Sequence, residues 1–464
     1  MKHAEVEVSG RRRRRWRAPR PDAAAFPPPR YLVLSLIFII TAINYADRSS
    51  LSITGSSISA ELRFSTVQLG YIFSAFSWAY VLGQLPGGVL LDRFGARRIY
   101  ALSLALWTVV TAAISLVGLI TTPVLVAVTI VFALRLLLGV FESPAFPVNA
   151  RVANTWFPTA ERGRATAVFN SAQYFATALF APVMGWITHE LGWRWVFVMV
   201  GVLGLTLAVG WSRWMDSPRH HRRVTPAELD TMTTGGALVD LDEACTRAEQ
   251  RVPLDRRTIA KIFSTRPLWG VYISRYAVNA LTYFFITWFP VYLVEGRGLA
   301  LLEVGFVAAL PALCGFAGGL AGGFVSDALL RRGASLTAAR KIPSVTGMAL
   351  ATSFALCSLT DSSALIVAIM TLAFFGKGLG ALGWAITTDI APPQATSFVG
   401  STMNAFGNAA GIVTPIVIGY TVQATGSFDT ALWFVAAHGV LALIGFAVMG
   451  KIKRIEFDTR EKTA

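Results

Sequence analysis

The chain has 464 residues, 54% of them hydrophobic and only 14% charged, with a mean hydropathy of +0.56. A soluble globular domain carries about 25% charged residues, so this composition excludes one and indicates an integral membrane protein. The formal charge of +15 does not imply nucleic-acid binding, because Arg11 to Arg15, Arg17 and Arg20 crowd one N-terminal stretch.

Residues 1–30 read as a disordered basic cytoplasmic tail, with anionic lipid as its candidate contact. No apolar signal region follows the arginines directly, and Pro27, Pro28 and Pro29 break the chain first. From there apolar runs of about 20 residues recur, the length that spans a hydrocarbon core of roughly 30 Å. Without a two-residue alternation they argue against a β-barrel. The reading gives an all-α fold with about twelve spans: 31–58, 66–91, 99–120, 122–148, 162–188, 194–214, 268–293, 302–328, 340–360, 363–390, 398–423 and 430–450.

The tail and every second turn are basic (Arg93, Arg97 and Arg98; Arg151, Arg162 and Arg164; Arg331, Arg332, Arg340 and Lys341), as is the C-terminus, whereas the opposite loops hold only Arg63, Arg194 and Arg297. By the positive-inside rule both termini are cytoplasmic. Trp193, Trp195 and Trp211, at span ends, read as interfacial anchors. A polar stretch divides the chain, with His220 and His221 expected in solvent. The organisation is then an N-terminal six-helix bundle (31–215), a cytoplasmic linker (216–266), a C-terminal six-helix bundle (267–450) and a cytoplasmic tail (451–464). The halves echo each other at an offset of about 234 positions: Pro158 with Pro392, Asn170 with Asn404, Gly185 with Gly419.

Chemistry concentrates where charge enters apolar spans. Asp47 and Arg48 lie inside the first, where each costs roughly 2.5–3.5 kcal/mol near a helix centre. Such charges face a wet cavity or each other and mark an ion or substrate path; snorkelling to the interface is the alternative. In span four, Arg135 and Glu142 are seven residues apart, hence on one helix face about 10 Å apart, and Gly139 between them permits close helix approach. Lys377 lies mid-span between Gly376 and Gly378. Asn404 and Asn408, one turn apart, suit either sugar hydroxyls or an inter-helix bridge. Arg275, two to three turns into span seven, reads as snorkelling toward the cytoplasm rather than touching substrate. Cys245, Cys314 and Cys357 lack metal-ligand spacing, and no Ser/His/Asp, HExxH or phosphate-loop pattern occurs, so neither an enzyme, a metal site nor a cofactor is expected.

Gly88-Val-Leu-Leu-Asp92-Arg93-Phe94-Gly95-Ala96-Arg97-Arg98 resembles the signature turn of the major facilitator superfamily. With Asn44-Tyr45-Ala46-Asp47-Arg48, Arg135 to Pro147 and Trp156 to Gly163 it resembles the anion:cation symporter family, over nearly the whole chain from Tyr31 to Lys453. Phe169 to Phe175, Ile286 to Leu293 and Phe374 to Trp384 make it most similar to the bacterial D-glucarate/D-galactarate permeases of that family. The resemblance implies two bundles around a midplane site, alternating access, a location in the bacterial inner membrane and a monomer in the lipid bilayer. It implies proton symport of a sugar-acid anion, a hexarate first, with an aldonate (galactonate, gluconate) or hexuronate, by symport or exchange, as the alternative.

Residue by residue, the resemblance implies proton coupling at Asp47 and Glu142, with Arg135 holding Asp47, and a substrate carboxylate on Arg48. Tyr45, Tyr80, Gln173, Trp384, Thr387 and Asn404 would line the sugar-acid site, joined by Tyr283 and Asn408. An aldarate has a carboxylate at each end, so Arg48 and Lys377 are expected to grip opposite ends. Asp92, Arg93, Arg97 and Arg98, echoed by Asp327 and Arg331, are expected to form a cytoplasmic gate whose ion pairs break as the halves rock.

Overall fold

Prolines, caps and a few glycines decide where the helices begin and turn. The computed structural model describes residues 28–120, 123–241, 256–392 and 396–455, so the tail arginines, Cys245 and the end of the C-terminal tail lie outside the described residues. Helix α1 (Pro29–Leu62) opens with proline in its first turn, where a missing N–H costs nothing. Helix α2 (Thr66–Ile114) opens on a capping box: Ser65 Oγ accepts from the Gln68 amide and the Gln68 side chain accepts from the Ser65 amide. Gly95 (φ 78°, ψ 164°) interrupts it, a conformation glycine holds readily, so α2 comprises two traverses. Helices α3 (Val124–Glu142) and α4 (Ala145–Trp156) are one span broken at Ser143-Pro144. Helices α5 (Thr159–Glu190) and α6 (Trp193–Trp214) follow, then α7 (Pro226–Thr234) and α8 (Arg256–Ser264) in the linker.

In the second half, α9 (Arg266–Thr287) bends by 51° into the short segment Phe289–Gly296. It is followed by α10 (Leu301–Arg331), α11 (Leu336–Ala351), α12 (Ser363–Leu379), α13 (Gly383–Ile390), α14 (Thr396–Thr425) and α15 (Asp429–Met449). Among the described residues nine helices are long and apolar enough to cross a membrane, or ten if the bent pair counts as one. Two of the twelve expected spans fall outside that set: 66–91 and α5. The 32 residues of α5 reach about 48 Å, so length is not the reason. These segments carry Gln68, Ser77 and Gln84, and Asn170, Gln173 and Thr177; they form the walls between the two helix groups, where polar side chains are accommodated.

Helices α1–α6 pack together, α9–α15 pack together, and the groups meet mainly through α2 against α14 and α5 against α10. The echoed glycines occupy equivalent places in these two seams. A Cβ on Gly185 would lie 3.2 Å from Leu301 O, and one on Gly419 would lie 2.9 Å from Thr66 O. At the same end, Val67 N donates to Gln423 Oε1 (3.2 Å) and the hydroxyls of Tyr71 and Tyr420 meet at 3.2 Å. Toward the end bearing the termini, the groups meet at Gln84 with Asn404 and at the Tyr174 ring with Phe316. Beyond them no ion pair among the described side chains joins the groups.

Two expectations need correction here. Trp193 and Trp211 are not interfacial anchors: both are buried, Trp193 Nε1 donating to Glu61 Oε2 (2.7 Å) and Trp211 Nε1 to Arg97 O (3.0 Å). Only Trp195 is exposed. His221 is not in solvent: it sits edge-on between Trp156 (5.2 Å) and Trp214 (4.9 Å). The first part of the linker is docked on the first helix group: Thr159 N donates to Gly235 O and Leu238 N to Asn154 O, both at 2.9 Å.

Candidate functional site

The four charges singled out in α1 and α3 converge in the interior of the first helix group. Asp47, Arg135 and Glu142 are each at most 3% exposed. Arg48 Nε donates to Glu142 Oε2 at 2.9 Å, whereas Asp47 Oδ2 accepts from Thr111 Oγ1 at 2.7 Å. Thus the neighbours Asp47 and Arg48 do not neutralise each other. Among the described residues Arg135 has no carboxylate oxygen within 4.0 Å; its guanidinium lies 5.5 Å from the Phe76 ring centre. Arg135 and Asp47 therefore do not form a direct ion pair in this structure.

Arg48 is held in an aromatic cage, 5.1 Å from the centre of Tyr45 and 4.7 Å from those of Phe76 and Tyr80. Cation–π attraction strengthens where water is excluded. The cage exists because α2 and α3 approach closely: a Cβ on Gly139 would run into Phe76 O and lie 3.0 Å from Tyr80 N. Sequence reasoning placed Gly139 correctly as a close-approach residue and missed Phe76, whose aromatic character alone marks nothing in so apolar a chain. Asp47 Oδ1, Glu142 Oε1, Arg48 Nη2, Arg135 Nε and Nη1, and both Asn44 side-chain polar atoms are buried without a protein partner.

Across the seam, Tyr283 OH donates to Asn408 Oδ1 (2.9 Å), Asn408 Nδ2 to Asn404 O (2.9 Å) and Asn404 Nδ2 to Gln84 Oε1 (3.2 Å). The two asparagines thus bridge helices, with Gln84 as a partner the sequence did not single out. Gln173 turns its amide back onto Asn170 O (3.1 Å), and it is Tyr174 that reaches the other group, at Phe316. Thr387 Oγ1 donates to Gly383 O (2.7 Å) and lies 2.8 Å from Met403 Sδ; Trp384 is 53% exposed and packs over Gly400. Neither makes a hydrogen bond, ion pair or ring contact with Arg48, Lys377 or Tyr283, because α13 restarts after the break at Gly380-Ala381-Leu382 and is closed by its own packing.

Lys377 is 7% exposed, with its ammonium 5.5 Å from the Phe374 ring centre. Its glycine neighbours let α12 sit tightly between α10 and α11: Gly376 lies against Gly347 O and Gly378 against Gly315 O. Arg275 is partly buried: its Nε is buried without a protein acceptor and its stem runs beside Gly407.

Of the expected gate, the Asp92 side chain lies outside the described residues. Arg97 pairs with Asp216 (3.1 Å) within its own group, Arg93 lies beside Phe94, and Arg98, Asp327 and Arg331 are exposed. In the other group Arg340 pairs with Asp389 (2.8 Å) and donates to Ser326 Oγ (2.9 Å).

Residues 37–339 match the family model of the Major Facilitator Superfamily. The chain is 50% identical over 434 residues to the probable galactarate/D-glucarate transporter GudP of Bacillus subtilis, covering 93% of this chain and 94% of that protein. It is 47% identical over 430 residues to the probable galactarate/D-glucarate transporter GarP of Escherichia coli K12 (92% and 96% covered). Among solved structures it is similar to the D-xylose-proton symporter, with a TM-score of 0.69 at 15% identity over 91% of this chain and 98% of that one.

Proposed function

Because this chain belongs to the major facilitator superfamily, and is by that membership a membrane transporter and not an enzyme, we propose that it imports a sugar-acid dianion, D-glucarate or galactarate, together with protons. The observation that carries the reading is the arrangement of buried charge. Arg48 is held by Glu142 at 2.9 Å in the first group, while Lys377 stands in the second with no carboxylate of the described residues within 4.0 Å. The similarity to two probable galactarate/D-glucarate transporters supports this substrate class.

The coupling follows from competition for one guanidinium. Protonating Glu142 removes the charge that holds Arg48, and a substrate carboxylate then takes its place. Asp47 is the second proton site. Carrying an anion into a negatively polarised cell costs about 2.3 kcal/mol per charge per 100 mV, so a dianion needs two protons for neutral transport. Two acids at the site suit that requirement. Tyr45, Tyr80 and the Tyr283–Asn408–Asn404 chain supply hydroxyl and amide partners to the polyol between the carboxylates.

The positive-inside pattern puts both termini in the cytoplasm of a bacterium, with the helices in its inner membrane. The seam closed by Tyr71 and Tyr420 is then periplasmic and the separated end cytoplasmic. In the outward-facing state the cytoplasmic arginines Arg93, Arg97, Arg98 and Arg331 would exchange partners across the gate. The protein acts as a monomer of two six-helix bundles joined by the 216–266 linker.

Uptake of labelled glucarate and galactarate into proteoliposomes, with and without an inward pH gradient, tests the reading. Gradient-driven accumulation of either dianion, with weaker accumulation of gluconate, is expected. Accumulation of monocarboxylates alone, or uptake indifferent to the gradient, would overturn it.

A further inference from the structure

The two halves do not balance their charge at membrane depth. Among the described residues the first group contributes Arg48 and Arg135 with Asp47 and Glu142, and the second contributes Arg275 and Lys377 with no carboxylate within 4.0 Å of either. This interior therefore holds four cations against two acids, a surplus of two positive charges when all are ionised. Charge without a counterion at membrane depth is costly, so the arrangement favours a partner of charge −2.

Arg275 is the part of this surplus that nothing above has used. A Cβ on Gly407 would lie 3.0 Å from Arg275 Cγ and 3.3 Å from its Nε, and one on Gly383 would lie 3.9 Å from its Nη1. The absent side chains on α13 and α14 leave the room the guanidinium occupies. Gly407 is next to Asn408, which accepts from Tyr283 OH, and one turn from Asn404, while Gly383 follows Lys377 by six residues across the break between α12 and α13. Arg275 therefore lies against the stretch of α14 that carries the two asparagines and against the segment that follows Lys377.

Resting on the sugar-acid reading, we infer that Arg275 is the residue by which this transporter counts carboxylates: with Lys377 it forms a two-cation seat for the distal carboxylate of a dicarboxylate sugar acid. A monocarboxylate engaged by Arg48 leaves the seat empty and both cations unpaired. A dicarboxylate fills it, gaining bidentate guanidinium contacts that an ammonium alone does not offer.

The test uses the full chain in proteoliposomes, comparing glucarate with gluconate for the wild type, Arg275→Gln and Arg275→Lys. Arg275→Gln is expected to lower the glucarate-to-gluconate ratio of kcat/KM by about tenfold or more, chiefly by raising KM for glucarate. Arg275→Lys, which keeps the charge and loses the fork, is expected to fall between. An unchanged ratio in Arg275→Gln, or an equal loss for both substrates in protein that elutes as the wild type does, overturns the inference. A wild-type measurement stands beside the variants in case Arg275→Gln does not fold: unlabelled gluconate should compete with glucarate uptake at least about tenfold less well than glucarate itself, and equal competition overturns the inference. A wild type that carries no dicarboxylate overturns the transport reading as well, whereas dicarboxylate transport with an unaltered ratio in the variants overturns this inference alone.

Discussion

Arg48 bonds to Glu142, 94 residues away, and not to Asp47 beside it. Adjacent residues on a helix point about 100° apart, so Asp47 is directed to Thr111 on α2 while Arg48 enters the aromatic cage and meets the end of α3. One carboxylate thereby holds the cation proposed to bind substrate, and the other accepts from a hydroxyl, so the two acids have different partners.

Replacing Glu142 by glutamine keeps an acceptor for Arg48 and removes the proton site. Exchange of substrate across the membrane is expected to persist, while accumulation driven by a pH gradient is lost. Counterflow and gradient-driven uptake measured in the same vesicles check this. Wild-type accumulation by the variant would show that Glu142 carries no coupled proton.

Lys377→Gln removes one cation from the second half. Glucarate uptake is expected to fall about tenfold or more, with a smaller effect on gluconate, because only the dicarboxylate has an end for Lys377 to hold. Equal losses for both substrates, or none for either, would contradict the assignment.

Gly139→Leu places a side chain against Phe76 O and Tyr80 N, backbone atoms that cannot turn aside. Overpacking of this kind costs about 1–3 kcal/mol or more. A lowered melting temperature in detergent is expected, with a larger loss than Leu137→Ala on the exposed face of the same helix. Similar melting temperatures for the two variants would mean that α2 and α3 are not in tight contact.

The linker offers a pH test outside the membrane. Burial against Trp156 and Trp214 holds the His221 imidazole below its ordinary range; nearby Asp216 opposes this and Arg223 adds to it. The free linker therefore binds the proton more readily than the docked one, so docking is strongest above about pH 6.5 and weakens as the pH falls through that value. Hydrogen exchange of residues 226–241 is expected to speed up at pH 5.5 relative to neutral pH, after correction for intrinsic rates, and His221→Phe should abolish the difference. An identical response in His221→Phe would remove His221 as its cause.

Much of this protein could be read from the chain itself. Hydropathy is a local sum, so the positions of the spans follow from composition window by window. The cost of charge in hydrocarbon likewise singles out Asp47, Arg48, Arg135, Glu142 and Lys377 without any fold. The repeat that pairs Gly185 with Gly419 was legible too, although only the structure places those two glycines in the seams. What the chain could not supply was partnership. Whether Arg48 answers Asp47, Glu142 or a substrate depends on the rotation of α1 against α3, and whether Arg275 faces water or the interior depends on the space beside Gly383 and Gly407. The docking of Trp211 on Arg97 O and of Gln84 on Asn404 rests on the same kind of fact. Span and depth are properties of one helix, whereas an ion pair is a property of two; its choice is made by packing between segments far apart in the chain, 94 residues for Arg48 and Glu142.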